Sequence, residues 1–168
     1  MVGKKVYFAK VKPDATIPSK RDEDVGYDLY ACFDEDYIII EPFTSKLIPT
    51  GIASAFSKEY GLIFYERGST GVKNLKVNAG VIDSGFRNEI FVCLYNANEK
   101  PVMITKSDNK DAFYYLYGED YIIYPCTKAI AQAIIINVPR VEVNEISYDE
   151  LKNIKSDRGM GMVGSSNK

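Results

Sequence analysis

Short runs of β-branched and aromatic residues, cut every few positions by proline, glycine or aspartate, commit this chain to a β-protein. Lys4–Lys12 reads as a strand ended by Pro13, and Val25–Tyr30 follows a polar loop, PDATIPSKRDED. Tyr37–Ile40 stops before Pro42, and Thr44–Ile48 before Pro49-Thr50-Gly51. Ile52–Phe56, Leu62–Tyr65 and Val102–Thr105 are further strands, and Ile130–Val138 has the continuous apolar character of a buried central one. Phe113–Tyr117 and Tyr121–Tyr124 read as two aromatic strands joined across Gly118-Glu119-Asp120. Ser57–Gly61 is predicted as a single helical turn. The credible helix begins at Ser147, where Ser147 and Glu150 form a capping box ahead of Leu151 and Ile154. So many short strands with turn residues between them predict an all-β, jelly-roll-like barrel or sandwich with one short helix.

The length of 168 residues suits one domain, residues 1–155, with a hairpin insert over 106–125. Residues 156–168, SDRGMGMVGSSNK, break the pattern and read as a flexible glycine-rich C-terminal arm. A net charge of -2 and a pI near 5.3 give no support to a nucleic-acid surface. A phosphorylated small ligand stays possible, because a local Arg/Lys cluster is enough to hold one. Histidine is absent, which removes His-based triads and His general bases. Cys32, Cys93 and Cys126 have neither pair nor zinc spacing, the pattern of buried thiols in a reducing compartment. No stretch reads as a membrane span, and the expectation is a cytoplasmic protein.

Within this frame, Val77–Ile90 reads as two strands meeting at the turn Asp83-Ser84-Gly85. By itself Asp83 is an ordinary turn residue, since an Asx side chain bonds its own backbone. Its company gives it another meaning. Val25-Gly26-Tyr27-Asp28-Leu29-Tyr30-Ala31, Arg67-Gly68-Ser69-Thr70-Gly71-Val72-Lys73, Gly80-Val81-Ile82-Asp83-Ser84-Gly85-Phe86, Ile130-Ala131-Gln132 and Arg158-Gly159-Met160-Gly161-Met162-Val163-Gly164-Ser165-Ser166 occur in that order. Together they resemble the five motifs of the trimeric dUTPase family, in a phage-like variant with an insert before the fourth.

The resemblance implies hydrolysis of dUTP to dUMP and pyrophosphate, with Asp83 activating the water that attacks the α-phosphorus. It implies Mg²⁺ held chiefly by the three phosphates, with Asp28 reaching it through a water. Arg67 would grip phosphate with a fixed fork, and Gly68 or Ser69 would add a donor in place of the family's serine after that arginine. Gly80 would let uracil approach the hairpin backbone. Phe86 stands where the family has the tyrosine that packs on the deoxyribose and excludes a 2′-hydroxyl. Gln132 would bond phosphate, while the basic residue expected nearby falls on Ala129, with Lys128 beside it. In the arm, Arg158 would clamp the terminal phosphate with Ser165, and Val163 replaces the ring that stacks on uracil. A homotrimer with sites shared between subunits is implied in the same way, as is a possible regulatory-protein contact through the 106–125 insert.

Two other readings remain open at this stage. A dCTP deaminase, or a bifunctional deaminase, shares the hairpin, but Cys93 stands where its catalytic glutamate is expected. A non-catalytic nucleotide-binding or regulatory protein could keep the scaffold, although it would have no need to keep Asp83.

Overall fold

The computed structural model describes residues 5–106, 115–116, 119–157, 159 and 161. The chain separates into two compact units, Met1–Val138 and Pro139–Lys168. The first unit is built almost entirely of strands. These are β1 Val6–Lys10, β2 Tyr27–Leu29, β3 Tyr37–Ile40, β4 Ser45–Pro49, β5 Ile52–Phe56 and β6 Tyr60–Tyr65, then, after a short helix α1 (Gly68–Gly71), β7 Leu75–Asn78, β8 Val81–Ile82, β9 Phe91–Asn96, β10 Val102–Thr105, β11 Ile122–Pro125 and β12 Ala131–Asn137. They form four small sheets, ordered β1-β5, β11-β10-β3, β2-β12-β6-β8 and β4-β9-β7. Neighbours far apart in sequence dominate that order, as the jelly-roll fold requires.

One core joins the sheets. Leu29, Ile40, Ile48, Leu62, Leu75, Val92, Leu94, Ile104, Tyr124 and Ile130 are all in a single buried cluster. Period-two alternation is clean where one strand face meets solvent: Ile52, Ser54 and Phe56 of β5 are buried while Ala53 and Ala55 are half-buried. β10, hydrogen-bonded on both sides, is buried at every position. A buried Asn96 pins the end of β9, its amide donating to the Ile40 and Lys100 carbonyls at 3.0 and 2.9 Å.

Several expectations need correction. Ile122–Pro125 is a strand, but it pairs in parallel with β10, Val102 opposite Ile122 and Ile104 opposite Tyr124. Its described partner is thus β10 and not the 113–117 stretch, within which Tyr115 and Leu116 have helical and not extended backbone. Phe113, Tyr114, Tyr117 and Gly118 lie outside the described residues. Ser57–Gly61 makes a hydrogen-bonded turn, Tyr60 N–H to Ser57 O at 2.9 Å, with Tyr60 already opening β6. The Asp83 run is only partly the expected hairpin: its outer strands do pair, Val77 of β7 lying antiparallel to Leu94 of β9, but β8, immediately before the turn, pairs with β6 instead. The run read as one hairpin therefore crosses from one sheet to another.

Among its described residues the second unit contains one helix, α2 (Tyr148–Asn153). Its expected capping box is present: Glu150 N–H donates to Ser147 Oγ at 3.2 Å, and Ser147 N–H to Glu150 Oε2 at 2.8 Å. Among the described residues no helix is long and apolar enough to cross a membrane.

Candidate active site

Strand register brings three of the motifs to one place. In the β2-β12-β6-β8 sheet, Asp28 lies opposite Gln132, and Gln132 lies opposite Tyr65. Two residues beyond Tyr65 the chain leaves the sheet at Arg67, so Arg67, Asp28 and Gln132 converge. Arg67 Nε donates to Asp28 Oδ1 at 2.8 Å, with both side chains about a third exposed or less (34% and 27%). Gln132 Nε2 donates to the Glu66 carbonyl at 2.8 Å, which fixes which way its amide points. Gly26 is what lets that amide in: a Cβ there would stand 2.9 Å from Gln132 Cβ and run into Oε1. The edge of β2 is covered by the preceding loop, Asp28 N–H donating to Ser19 O at 2.9 Å.

Arg67 is held by α1. Its N–H donates to Thr70 Oγ1 at 2.9 Å, and that hydroxyl donates back to the Arg67 carbonyl at 3.0 Å. Thr70 is fully buried, so the loop is pinned from below while Gly68 and Ser69 face out. A Cβ at Gly68 would meet nothing within 4 Å, so the glycine is not required sterically. These parts enclose a pocket of about 510 Å³ lined by Arg21, Glu23, Asp24, Val25, Gly26, Asp28, Arg67, Gly68, Ser69 and Gln132. Arg21, Glu23 and Asp24 were not anticipated. The signal was the charged run immediately ahead of Gly26-Tyr27-Asp28, which reads by itself as a solvated loop. Arg21 grips Asp24 through two bonds of 2.9 Å, and this hydrogen bonding holds the Asp24 carboxyl below the ordinary aspartate range. Lys128 is exposed and away from the pocket, and Ala129 is buried, so the lining cations among the described residues are Arg21 and Arg67.

Gly80, Asp83 and Phe86 do not line this pocket. Asp83 sits at the first position of a turn closed by Phe86 N–H to Asp83 O at 3.1 Å, with Asp83 and Phe86 both exposed. The turn is braced from its far side. Arg87 donates to the Phe86 carbonyl at 3.0 Å, Glu89 accepts from Gly51 N–H at 2.8 Å, and Ile90 N–H donates to Ile52 O at 2.8 Å. Gly80 carries the other side, its carbonyl accepting from Phe64 N–H at 2.7 Å, and a Cβ there would lie 2.7 Å from Phe64 O. The close backbone approach expected at this glycine is present, although its partner in the chain is β6. Cys93 is half-buried on β9 opposite Leu47 and Asn78, and supplies no carboxylate.

Register gives the separation of the two groups. Ile82 pairs with Leu62, so Asp83 falls beside Gly61, while Asp28 shares a row with Gln132 and Tyr65. That puts Asp83 about three strand spacings across the sheet, roughly 14 Å, and about four residues along it, roughly 13 Å, from Asp28. Arg158, Val163 and Ser165 lie outside the described residues.

With this geometry in place, three comparisons bear on the chain. The dUTPase family model matches residues 13–109. The deoxyuridine 5′-triphosphate nucleotidohydrolase of Mycolicibacterium gilvum is 31% identical over 163 residues, covering 94% of this chain and 91% of that protein. Among solved structures, the dUTPase of Staphylococcus bacteriophage 80alpha with dUPNHPP superposes with a TM-score of 0.74 at 18% identity, covering 98% of this chain and 99% of that one. A mutant dUTPase from phage phi11 of S. aureus, in which a structural Mg(II) ion is coordinated, superposes with a TM-score of 0.65 at 15% identity over 84% of this chain and 96% of its own.

Proposed function

We propose, for a chain that belongs to the dUTPase family, that it hydrolyses dUTP to dUMP and pyrophosphate, with the triphosphate in the Arg67–Gln132 pocket and Asp83 as the base. The observation that carries this reading is the Arg67–Asp28 pair with the pinned Gln132 amide: a fixed guanidinium fork and an oriented amide in one polar pocket. Such groups cost no reorganisation when charge moves onto phosphate oxygens. Asp83 takes a proton from water as the water oxygen bonds to the α-phosphorus. The bond from that phosphorus to its bridging oxygen then breaks, and pyrophosphate departs with its electron pair. Phe86, one turn from Asp83, offers a flat apolar face to the sugar, on which a 2′-hydroxyl would have no hydrogen-bond partner.

The described residues contain no group of three or more acidic or cysteine side chains able to hold a metal themselves. Asp28 is a single carboxylate already paired with Arg67. This donor set fits Mg²⁺ carried in on the phosphates, with Asp28 contacting it through a water. When bound, the ion would neutralise phosphate charge. Among the described lining residues, Arg21 and Arg67 face Glu23, Asp24 and Asp28, a balance that gives a bare triphosphate little attraction.

A shared site follows from the separation of the two groups. No triphosphate spans roughly 19 Å while keeping its α-phosphorus at Asp83 and its other phosphates at Arg67 and Asp28. On this reading the Asp83 of one copy serves the pocket of another, and a homotrimer provides this. Leu47 (62% exposed) and Phe91 (41% exposed), on paired strands β4 and β9, give that region an apolar surface for a second copy.

The test is to incubate the purified protein with Mg²⁺ and dUTP, dCTP or dTTP and to follow pyrophosphate and ammonia. Pyrophosphate from dUTP, lost in Asp83→Asn, is the expected result. Ammonia from dCTP would identify a deaminase, and binding without turnover would identify a non-catalytic nucleotide binder.

A further inference from the structure

Besides Thr70, a second buried side chain stands behind the α1 loop without lining the pocket. Tyr124, on β11, is 1% exposed, and its hydroxyl donates to the Ala129 carbonyl at 2.7 Å. A buried phenol needs such a partner, and burial pushes its pKa up, so it remains a neutral donor at neutral pH. The Ser69 side chain approaches the same oxygen. The Lys73 ammonium stands 5.5 Å from the ring centroid, within the range of a cation–π contact. One ring therefore meets both ends of the α1 loop, at Ser69 and Lys73, and the segment that enters β12 just ahead of Gln132.

Those two segments supply the phosphate-facing groups of the pocket, yet one lies in the middle of the first unit's sequence and the other at its end. Gln132 reaches Glu66 through a single bond to a carbonyl, and Arg67 reaches across to Asp28. Neither contact sets the height of the Ser69 end of the loop against the start of β12. Tyr124 sits where that spacing is determined. We propose that Tyr124 is a positioning residue for triphosphate recognition, its ring and hydroxyl holding the α1 loop and the entry to β12 so that Arg67, Ser69 and Gln132 face one ligand. The ring fills core and seats Lys73, while the hydroxyl ties the two segments. The inference rests on the reading of this pocket as the phosphate site.

The variant that separates ring from hydroxyl is Tyr124→Phe. Turnover of dUTP is measured with wild type and variant, and calorimetry measures binding of dUMP and of a non-hydrolysable α,β-imido analogue of dUTP. The KM for dUTP is expected to rise about tenfold, the loss of one well-placed hydrogen bond. The analogue weakens by the same factor, while kcat and dUMP affinity stay within about twofold of wild type. A purely structural role would lower thermal stability and the active fraction without changing the ratio of triphosphate to monophosphate affinity. An unchanged KM, an equal loss for both ligands, or a fall in kcat at constant KM overturns the proposal. If Tyr124→Phe yields no folded protein, Lys73→Met, which removes the cation over the ring and no pocket-lining group, is read with the same two ligands, and absence of a triphosphate-selective loss overturns the proposal. Wild-type protein that releases no pyrophosphate from dUTP refutes the functional reading instead, so the two failures are told apart.

Discussion

On the proposed function the Arg67 pocket and the Asp83 turn carry the two halves of one reaction, and they are built on opposite principles. In the pocket the main functional side chains are held by bonds within the chain: Arg67 to the Asp28 carboxylate, Gln132 to the Glu66 carbonyl, and the loop backbone to buried Thr70. At the turn the backbone is braced by Arg87, Glu89 and Ile90, while the Asp83 and Phe86 side chains stand exposed. Phosphate binding needs charge held at fixed spacing, which a single sheet can supply through register. A base must instead be delivered to a substrate, and a rigid turn can deliver one into a neighbouring copy. On that proposal the contrast explains why a single chain presents the pocket with no base lining it.

The strongest way to break this division is Asp83→Asn. It should lower kcat about 10³-fold while the affinity for a non-hydrolysable triphosphate stays near wild type, because it removes proton transfer and little binding. Mixing takes the test further. Asp83→Asn and Arg67→Ala subunits, each inactive alone, are unfolded together and reassembled. If Asp83 and Arg67 of each site come from different chains, roughly a quarter of sites in a random mixture regain both groups and turnover returns. Continued inactivity of the reassembled trimers would sink the shared-site reading. Next in size is Arg67→Ala alone, expected to weaken the triphosphate about 100-fold, since a charged fork is lost and Asp28 is left unpaired. Arg67→Lys should recover only part of this, because an ammonium lacks the fork. Full recovery by lysine would show that charge alone matters there.

The same contrast governs what could be read from residues alone. Strand positions were legible because each run is short and ends at Pro, Gly or Asp, and α2 because Ser147 and Glu150 cap each other. Strand partners were not: a period of two says which face is buried and nothing about the neighbour, so the residues alone offer Ile122–Pro125 a partner in 113–117, whereas it pairs in parallel with β10. The helix Gly68–Gly71 has no periodicity to find, being four residues with glycine at both ends, and the buried Thr70 hydroxyl maintains its turn. Asp28, Arg67, Gln132 and Asp83 stood out through their motifs. Arg21, Asp24 and Tyr124 did not, because a charged loop and an aromatic strand look alike whether or not a pocket lies beside them.

A smaller effect is expected at the seam between the regions. Gly80 belongs to the turn by sequence and to β6 by contact, and a Cβ there meets the Phe64 backbone oxygen, which cannot swing aside as a side chain could. Gly80→Ala should cost about 1–3 kcal/mol of stability through this overpacking. Its catalytic signature is the informative part: the turn moves, so kcat for dUTP falls, while the Arg67–Asp28 side keeps its affinity for inorganic pyrophosphate. Equal losses on both measures would mean that the two regions are one mechanical unit, and the contrast would fail.

The smallest effect concerns the loop that closes the pocket. Arg21 holds the Asp24 carboxyl below the usual aspartate range, so in the folded chain Asp24 stays ionised to lower pH than in the unfolded chain. The stability this adds is complete above the ordinary aspartate pKa and is lost as pH falls through the depressed folded value. Both side chains are solvent-facing, so the Tm difference between wild type and Asp24→Asn at pH 7 should be no more than about 2 °C. It should persist to about pH 4 and vanish below that. Asp34, paired with Lys12 at 2.8 Å and lowered in the same direction, is the control, since it lies outside the pocket. Asp34→Asn should reproduce the pH-dependent Tm difference with an unchanged KM for dUTP. Asp24→Asn should shift KM as well, because releasing Arg21 changes which cation the triphosphate meets at the pocket mouth. Were KM unmoved in both variants, the Arg21–Asp24 loop would be scaffold only, and phosphate recognition in this subunit would rest on Arg67 and Gln132.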